Sequence, residues 1–441
     1  MDYIVIKGCK LMQKVLSVFH MGSSYPGKVA LKCNKSILKS LSDKYKVILV
    51  TGTNGKTTTA SILAKILRDS GYPVIHNATG ANMLPGITTL FIAHESDKEK
   101  KYAVIEIDEA NVPLYTSIAK AEYIVCTNIF KDQLDRYGEI YTTLRKIKDG
   151  IKKLPNIKMV LNGDEPLFGD IEGKKVYFGF NQNPHSYREE KSNVEGQFCV
   201  KCRAKYDYEF YTYNHLGKYK CPKCGYKRPQ LKYYVSNINI KDDDHVNFKI
   251  NDTIFIEANI GGLYNVYNIL AAAAVAMEIG VKPEILKKSI KSYKARFGRT
   301  ESFMYDNKEI KIILVKNPAG FNQGLMIPTY NKEDKCGCFI LNDDYADGRD
   351  ISWIWDVDFE NTFTDYNNIF VSGSRRYDMA VRLNVAGYNL HCDDICDTID
   401  MLVEKIKKCD NCKYVYIFST YTAMLSLRKV LAEQNIIEHS W

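Results

Sequence analysis

The sequence predicts an α/β protein with a central nucleotide-binding domain, an inserted cysteine-rich module and a second α/β domain toward the carboxyl end. Three observations carry this. Short β-branched runs alternate with amphipathic helical patterns from Lys46 onward, the signature of layered α/β structure. A glycine-rich turn joins the first such run to the first helix. Past Arg299 the alternation starts afresh, and 441 residues are too many for one hydrophobic core. The expected divisions are a basic leader over 1–45, the nucleotide-binding domain over 46–300 with its insertion at 193–230, and a final domain over 301–441.

Lys46–Val50 reads as a strand, and Thr57–Ser70 as a helix with Ile62, Leu63, Ile66 and Leu67 along one face. Ala103–Ile107, Tyr123–Cys126 and Met159–Leu161 read as buried strands. Asn265–Ile279 is an alanine-rich helix stopped by Gly280, because glycine accepts the left-handed geometry of a carboxyl-terminal cap. In the final domain, strands are expected near Ile312–Val315, Cys338–Leu341, Ile369–Ser372 and Tyr414–Ser419. Helices are expected near Ser374–Ala386, Asp394–Lys408 and Tyr421–Glu433.

Hydrophobic residues make up 45% of the chain and charged residues 26%, which excludes a mainly disordered or collagen-like protein. No apolar run approaches the roughly 18–20 residues that span a bilayer. Lys7, Lys10 and Lys14 interrupt the apolar start, which excludes a signal peptide and places the chain in the cytoplasm. Nine lysines against Asp2 and Asp43 put most of the net charge of +9 into residues 1–46. Such a leader fits an anionic partner, a membrane surface or a phosphorylated lipid, at the inner face of the cell membrane; the alternative is a solvated helical face. Nucleic acid is not expected, since no basic stripe interleaved with aromatics follows.

Val50-Thr51-Gly52-Thr53-Asn54-Gly55-Lys56-Thr57-Thr58-Thr59 sits between strand and helix and has the physics of a phosphate loop. Gly52 and Gly55 let the backbone turn and approach an anion closely. The helix that follows aims its free N–H groups and positive end at the phosphates. Lys56 brings a charge to the β- and γ-phosphates, and the Thr57 hydroxyl is placed to ligate magnesium. Gly52, Thr53, Asn54, Gly55, Lys56, Thr57 and Thr58 are therefore the candidate nucleotide-binding residues. Val50 stands where the strict pattern has glycine.

Thirteen cysteines in a cytosolic chain argue for metal or free thiols over disulfides. Cys199-x-x-Cys202 and Cys221-x-x-Cys224, eighteen residues apart, give four thiolates that can converge tetrahedrally, and soft sulfur selects zinc. The expected role is structural, because four sulfur ligands close the coordination sphere. A ribbon of this kind is expected to have almost no hydrophobic core, so that the metal holds it together. Cys409 and Cys412 form another Cys-x-x-Cys without a partner pair nearby; they and Cys336, Cys338, Cys392 and Cys396 are read as plain thiols. In the final domain, Asn342-Asp343-Asp344-Tyr345-Ala346-Asp347-Gly348-Arg349-Asp350 follows a strand, where α/β domains bind ligands. Asp350 could equally cap the next helix.

Several segments resemble those of Mur ligases and folylpolyglutamate synthetases, in order along the chain. These are the Gly-Thr-Asn-Gly-Lys-Thr-Thr loop, Val104–Glu109, Thr127–Arg136, Leu161–Pro166, Gly262–Asn268 and Gly298–Glu301. The resemblance implies a Mur-ligase-like ATPase domain in which Glu106 binds magnesium, Asn268 bonds the adenine and Arg299 reaches the γ-phosphate. Gln133 stands where those enzymes have His, which removes an imidazole ligand for a second magnesium, and Tyr264 replaces another His. The Asp-x-Ala-Asp-Gly-Arg-Asp-x-Ser-Trp-Ile-Trp-Asp run, the inserted ribbon and Lys316-Asn317-Pro318-Ala319-Gly320 narrow the likeness. They resemble the MurT family, the ligase-like subunits of lipid II isoglutaminyl synthases. That family also lacks the amino-terminal uridine-nucleotide domain of other Mur ligases, which the short stretch ahead of the loop matches.

The resemblance implies an ATP-dependent ligase with a Rossmann-like final domain. It would amidate the α-carboxylate of D-glutamate in the stem peptide of lipid II, through an acyl phosphate stabilised by Lys56, magnesium and Arg299. No Gly-x-Cys-x-Gly glutaminase elbow is present, so ammonia is expected from a partner glutaminase, in this family GatD. Asp350 is implied to complete that partner's Cys–His pair, with Asp347 and Asp356 as reserves. A stand-alone ligase that joins an amino acid to a carboxylate is the alternative, and an ATP-dependent binding scaffold is another.

Overall fold

Val47–Val50 are buried on both faces, the pattern of a strand inside a parallel sheet. They belong to β1 (Tyr45–Thr51) in the computed structural model of the chain, which describes residues 2–18, 24–78, 80–95, 101–131, 140–184, 196–242, 244–294, 300–362 and 366–437. Two compact units emerge: 1–130 with 139–239 and 245–293, and 131–138 with 240–244 and 294–441.

The first unit carries β1, β2 (Val74–His76), β3 (Lys101–Glu106), β4 (Tyr123–Cys126), β5 (Lys158–Asn162) and β6 (Lys175–Phe180). A small hairpin, β7 (Asp207–Tyr213) and β8 (Leu216–Lys220), precedes β9 (Tyr233–Ile240), β10 (Val246–Ile250) and β11 (Ile254–Ala258). The sheet order is β11-β10-β9-β6-β5-β4-β1-β3-β2. From β2 to β9 every pairing is parallel, and β10 with β11 is antiparallel. Helices Lys56–Asp69 and Leu263–Ile279 pack together; the second ends at Gly280 with φ 95°. The basic segment ahead of β1 forms helices Asp2–Val18, Tyr25–Cys33 and Ser36–Ser42. Its Ile6, Cys9, Ala30, Ile37, Leu38 and Leu41 join the core that β1 and β3 share.

The second unit is a five-stranded sheet of β12 (Thr300–Tyr305), β13 (Lys308–Leu314), β14 (Lys335–Ile340), β15 (Asn368–Ser372) and β16 (Tyr414–Ser419). Its order is β12-β13-β16-β14-β15, parallel except at the β12 edge. The helix expected over Asp394–Lys408 starts later, at Ile399. The Thr398 side chain accepts from the Met401 N–H at 3.2 Å and so fixes the first turn there.

Candidate active site and metal-binding clusters

The phosphate loop is held by the segment that follows β4. Thr53 N donates to Asn128 O at 2.9 Å, and Asn54 N to Asn128 Oδ1 at 2.9 Å. Thr127 Oγ1 and Asn128 Nδ2 donate to Asn54 O at 2.7 and 3.1 Å, and Phe130 N donates to Thr53 Oγ1 at 3.0 Å. Two glycines are required by contact as well as by conformation. Gly52 has φ 121°, and a Cβ there would lie 2.3 Å from Thr127 Oγ1. Gly55 has φ 85°, and a Cβ there would lie 2.0 Å from Asn268 Oδ1. Asn268 itself is buried, accepts from Thr59 Oγ1 at 3.4 Å and donates to Asn265 Oδ1 at 3.2 Å. Its amide braces the loop from behind. Thr57 and Thr58 are half-buried in the first turn of the helix.

Lys56 is buried and donates to Gly52 O at 2.5 Å, to Thr53 O at 3.2 Å and to Glu109 Oε1 at 3.0 Å. Burial opposes its charge, but Glu109, Glu106 and Asp108 outweigh that and hold it above the ordinary lysine value. Glu109 was not singled out by the sequence. It sits three residues past the strand-end Glu106, on the same acidic run that marked Glu106. Glu106 is also buried; its Oε1 accepts from Asn82 Nδ2 at 3.1 Å, while Oε2 has no partner among the described residues. A buried carboxylate oxygen left open beside a phosphate loop fits a hard divalent cation. Gln133 and Arg299 lie outside the described residues.

The four ribbon cysteines converge, with Cys199–Cys224 Sγ at 3.5 Å and Cys202–Cys221 Sγ at 3.4 Å. The two Cys-x-x-Cys turns are built alike. Arg203 N donates to Cys199 O and Gly225 N to Cys221 O, and both residues are left-handed, at φ 62° and 73°. Burial would raise the Cys199 thiol, but the Cys202 and Lys201 N–H groups lower it to about 6. Four convergent sulfurs, two of them, Cys199 and Cys221, favoured as thiolates, fit zinc. The expectation of a nearly coreless ribbon is corrected: Tyr206, Tyr208 and Tyr219 pack with Cys199 and Cys221 in a core of their own. The hairpin is also tied to the Leu161–Pro166 turn. His215 Nε2 meets both Glu165 oxygens at 3.0 and 2.9 Å, and Arg228 meets Asp164 at 2.8 Å. Asn162 Nδ2 then donates to Thr127 O at 2.9 Å, at one of the two residues that clamp the loop.

In the second unit the acidic loop follows β14. Its carboxylates are used differently. Asp347 is buried and accepts from Thr422 N at 2.8 Å and from the Thr422 hydroxyl. Asp356 pairs with Lys131 at 2.7 Å. Asp350 is exposed and accepts from Ser352 N at 2.8 Å; Ser352 holds its carboxyl below the ordinary aspartate value. Of the three candidates it is the exposed carboxylate that makes no ion pair among the described residues. A second sulfur cluster also appears here. Cys409 and Cys412, expected to stand without a partner, have Cys336 Sγ at 2.9 and 2.7 Å.

Residues 50–222 match the Mur ligase middle domain and residues 314–424 the MurT ligase C-terminal family. The MurT subunit of the glutamine-hydrolysing lipid II isoglutaminyl synthase of Streptococcus pneumoniae is 40% identical over 427 residues, 96% of this chain and 95% of that protein. The chain belongs to the MurT family. The Staphylococcus aureus MurT subunit is 36% identical, over 87% of this chain and 88% of that protein. Solved structures share the MurT fold at lower identity. A pseudomurein peptide ligase type C from Methanothermus fervidus has a TM-score of 0.66 at 21% identity, covering 88% of this chain and 79% of that one. MurF from Acinetobacter baumannii has 0.66 at 17%, covering 92% and 80%.

Proposed function

We propose that this chain is the ATP-using subunit that amidates the α-carboxylate of D-glutamate in the lipid II stem peptide, with ammonia from a glutaminase partner, GatD. The observation that carries this is the near-complete coverage of a 40% identical MurT subunit.

The chemistry starts from a poor electrophile. The carboxylate attacks the γ-phosphorus of ATP and releases ADP, giving an acyl phosphate. Ammonia then adds to the acyl carbon, loses a proton, and the C–O bond to phosphate breaks, leaving the amide and inorganic phosphate, which carries that proton away. In our reading Gly52 to Thr58 wrap the phosphates, and Lys56 leaves Glu109 to meet the charge that moves during transfer. Arg299 would add a second cation. Asn268 sets the position of Gly55. Magnesium, when bound, neutralises phosphate oxygens, and Glu106 and Thr57 would hold it. Zinc would be held by Cys199, Cys202, Cys221 and Cys224 as a structural ion. Asp350 would orient and stabilise the partner's imidazolium, as the third member of a triad does.

The membrane reading rests on helix Asp2–Val18. Ile6 and Cys9 face the core, whereas Ile4, Leu11 and Val15 are 75, 65 and 53% exposed. They recur at helical spacing beside Lys7 and Lys14. An apolar stripe flanked by lysines fits the surface of an anionic bilayer, where the lipid-linked substrate resides.

The test is direct. The chain co-expressed with its glutaminase, given lipid II, ATP and glutamine, should convert the stem-peptide acid to the amide by mass analysis. Turnover with an amino acid and none with ammonia would reject the assignment.

A further inference from the structure

Cys336, Cys409 and Cys412 come from separate parts of the second unit. Cys336 is the second residue of β14. Cys409 and Cys412 lie in the turn between helix Ile399–Lys408 and β16. Parallel pairing places Cys336 beside Val415 on one side and Asn368 on the other. The three thiols therefore meet at the amino-terminal edge of the sheet, away from the acidic loop at its carboxyl-terminal edge. All three are buried, and their Sγ atoms form a triangle of 2.7, 2.9 and 3.3 Å. Nonbonded carbon atoms settle at about 3.5–4.0 Å, and sulfur is no smaller, so uncharged thiols would repel at these separations. Among the described residues the ribbon is the other place where three or more such ligand atoms converge.

We infer that Cys336, Cys409 and Cys412 form a second metal site that takes zinc through three sulfurs and one oxygen ligand. The oxygen has a place to enter. Asn368 Oδ1 lies 3.1 Å from Cys409 Sγ and 4.0 Å from Cys336 Sγ. Cys409, Asn368 and Asp410 also line a surface cleft of 380 Å³, which brings solvent-facing oxygen ligands to the edge of the cluster. Three thiolates around a divalent ion leave one negative charge. The buried Lys308 ammonium, which also pairs with Asp306 at 3.5 Å, acts on Cys409 and Cys412 and offsets part of it, and Lys405 and Lys408 line the cleft. Zinc–sulfur bonds of about 2.3 Å would spread the triangle by roughly 1 Å or less. The site would join the end of a helix to two strands, which is a structural task.

The test uses the full-length chain purified without chelator. Elemental analysis should find two zinc ions per chain, one in C336S and one in C199S. Alkylation of the native wild-type chain, read by mass spectrometry, should leave Cys336, Cys409 and Cys412 unmodified until a chelator is added. That second measurement stands even if C336S fails to fold. One zinc per wild-type chain, with these three cysteines alkylated at once, would overturn the site. So would a disulfide among them in the freshly isolated protein.

Discussion

Asp350, Lys56 and His215 each make a different kind of demand on one side chain. Asp350 is exposed and held ionised by Ser352, which suits a carboxylate that serves another chain. Asp350→Asn should lower glutamine-driven amidation by about 10²–10⁴-fold while ammonia-driven amidation persists. Comparing the two nitrogen sources on one preparation checks this, and equal loss in both would move Asp350 into the synthetase site. Lys56→Met should lower the rate with either nitrogen source by about 10²–10³-fold, since it removes a charge aimed at the transferring phosphoryl group. His215 and Glu165 are 1 and 0% exposed and meet at 2.9 Å. His215→Ala leaves that carboxylate short of a donor and should cost about 2–4 kcal/mol in denaturant unfolding.

At the scale of elements, sequence legibility follows burial. Tyr123–Cys126, Tyr414–Ser419 and Tyr421–Glu433 have the bounds read from the sequence, because each is a continuous buried run or a clean amphipathic face between turns. Helix Ile140–Lys152 was missed although Ile140, Leu144, Ile147 and Ile151 repeat at helical spacing, since lysines crowd the intervening positions. The β9–β11 edge was missed because its strands bury alternate residues and lack long apolar runs. The phosphate loop was legible because its glycines are required by geometry. Glu109 and Cys336 were not, because contacts across 53 and 73 residues leave no local spacing to read. The helix Asp2–Val18 carries its own prediction: the chain should float with anionic vesicles at low salt and not with neutral ones. L11E with K14E should abolish flotation, and unchanged flotation would remove the membrane role from this helix.

For the molecule as a whole, metal content and folding should be linked. Zinc binding in small zinc modules contributes about 10–16 kcal/mol, but here Tyr206, Tyr208 and Tyr219 supply a core besides the thiols. Chelation should therefore loosen the hairpin without unfolding the first unit, whose nine-stranded sheet does not include it. Hydrogen exchange on the chelated chain should show faster exchange over 199–228 and unchanged exchange in β1 and β3. The Lys56–Glu109 pair has a consequence for which anions get in. The resting loop already carries its counter-ion, so a visitor must exchange with a carboxylate 3.0 Å from the ammonium. Free phosphate brings too little charge and too few contacts for that swap. A triphosphate brings both, so the loop should ignore the orthophosphate that each turnover leaves behind.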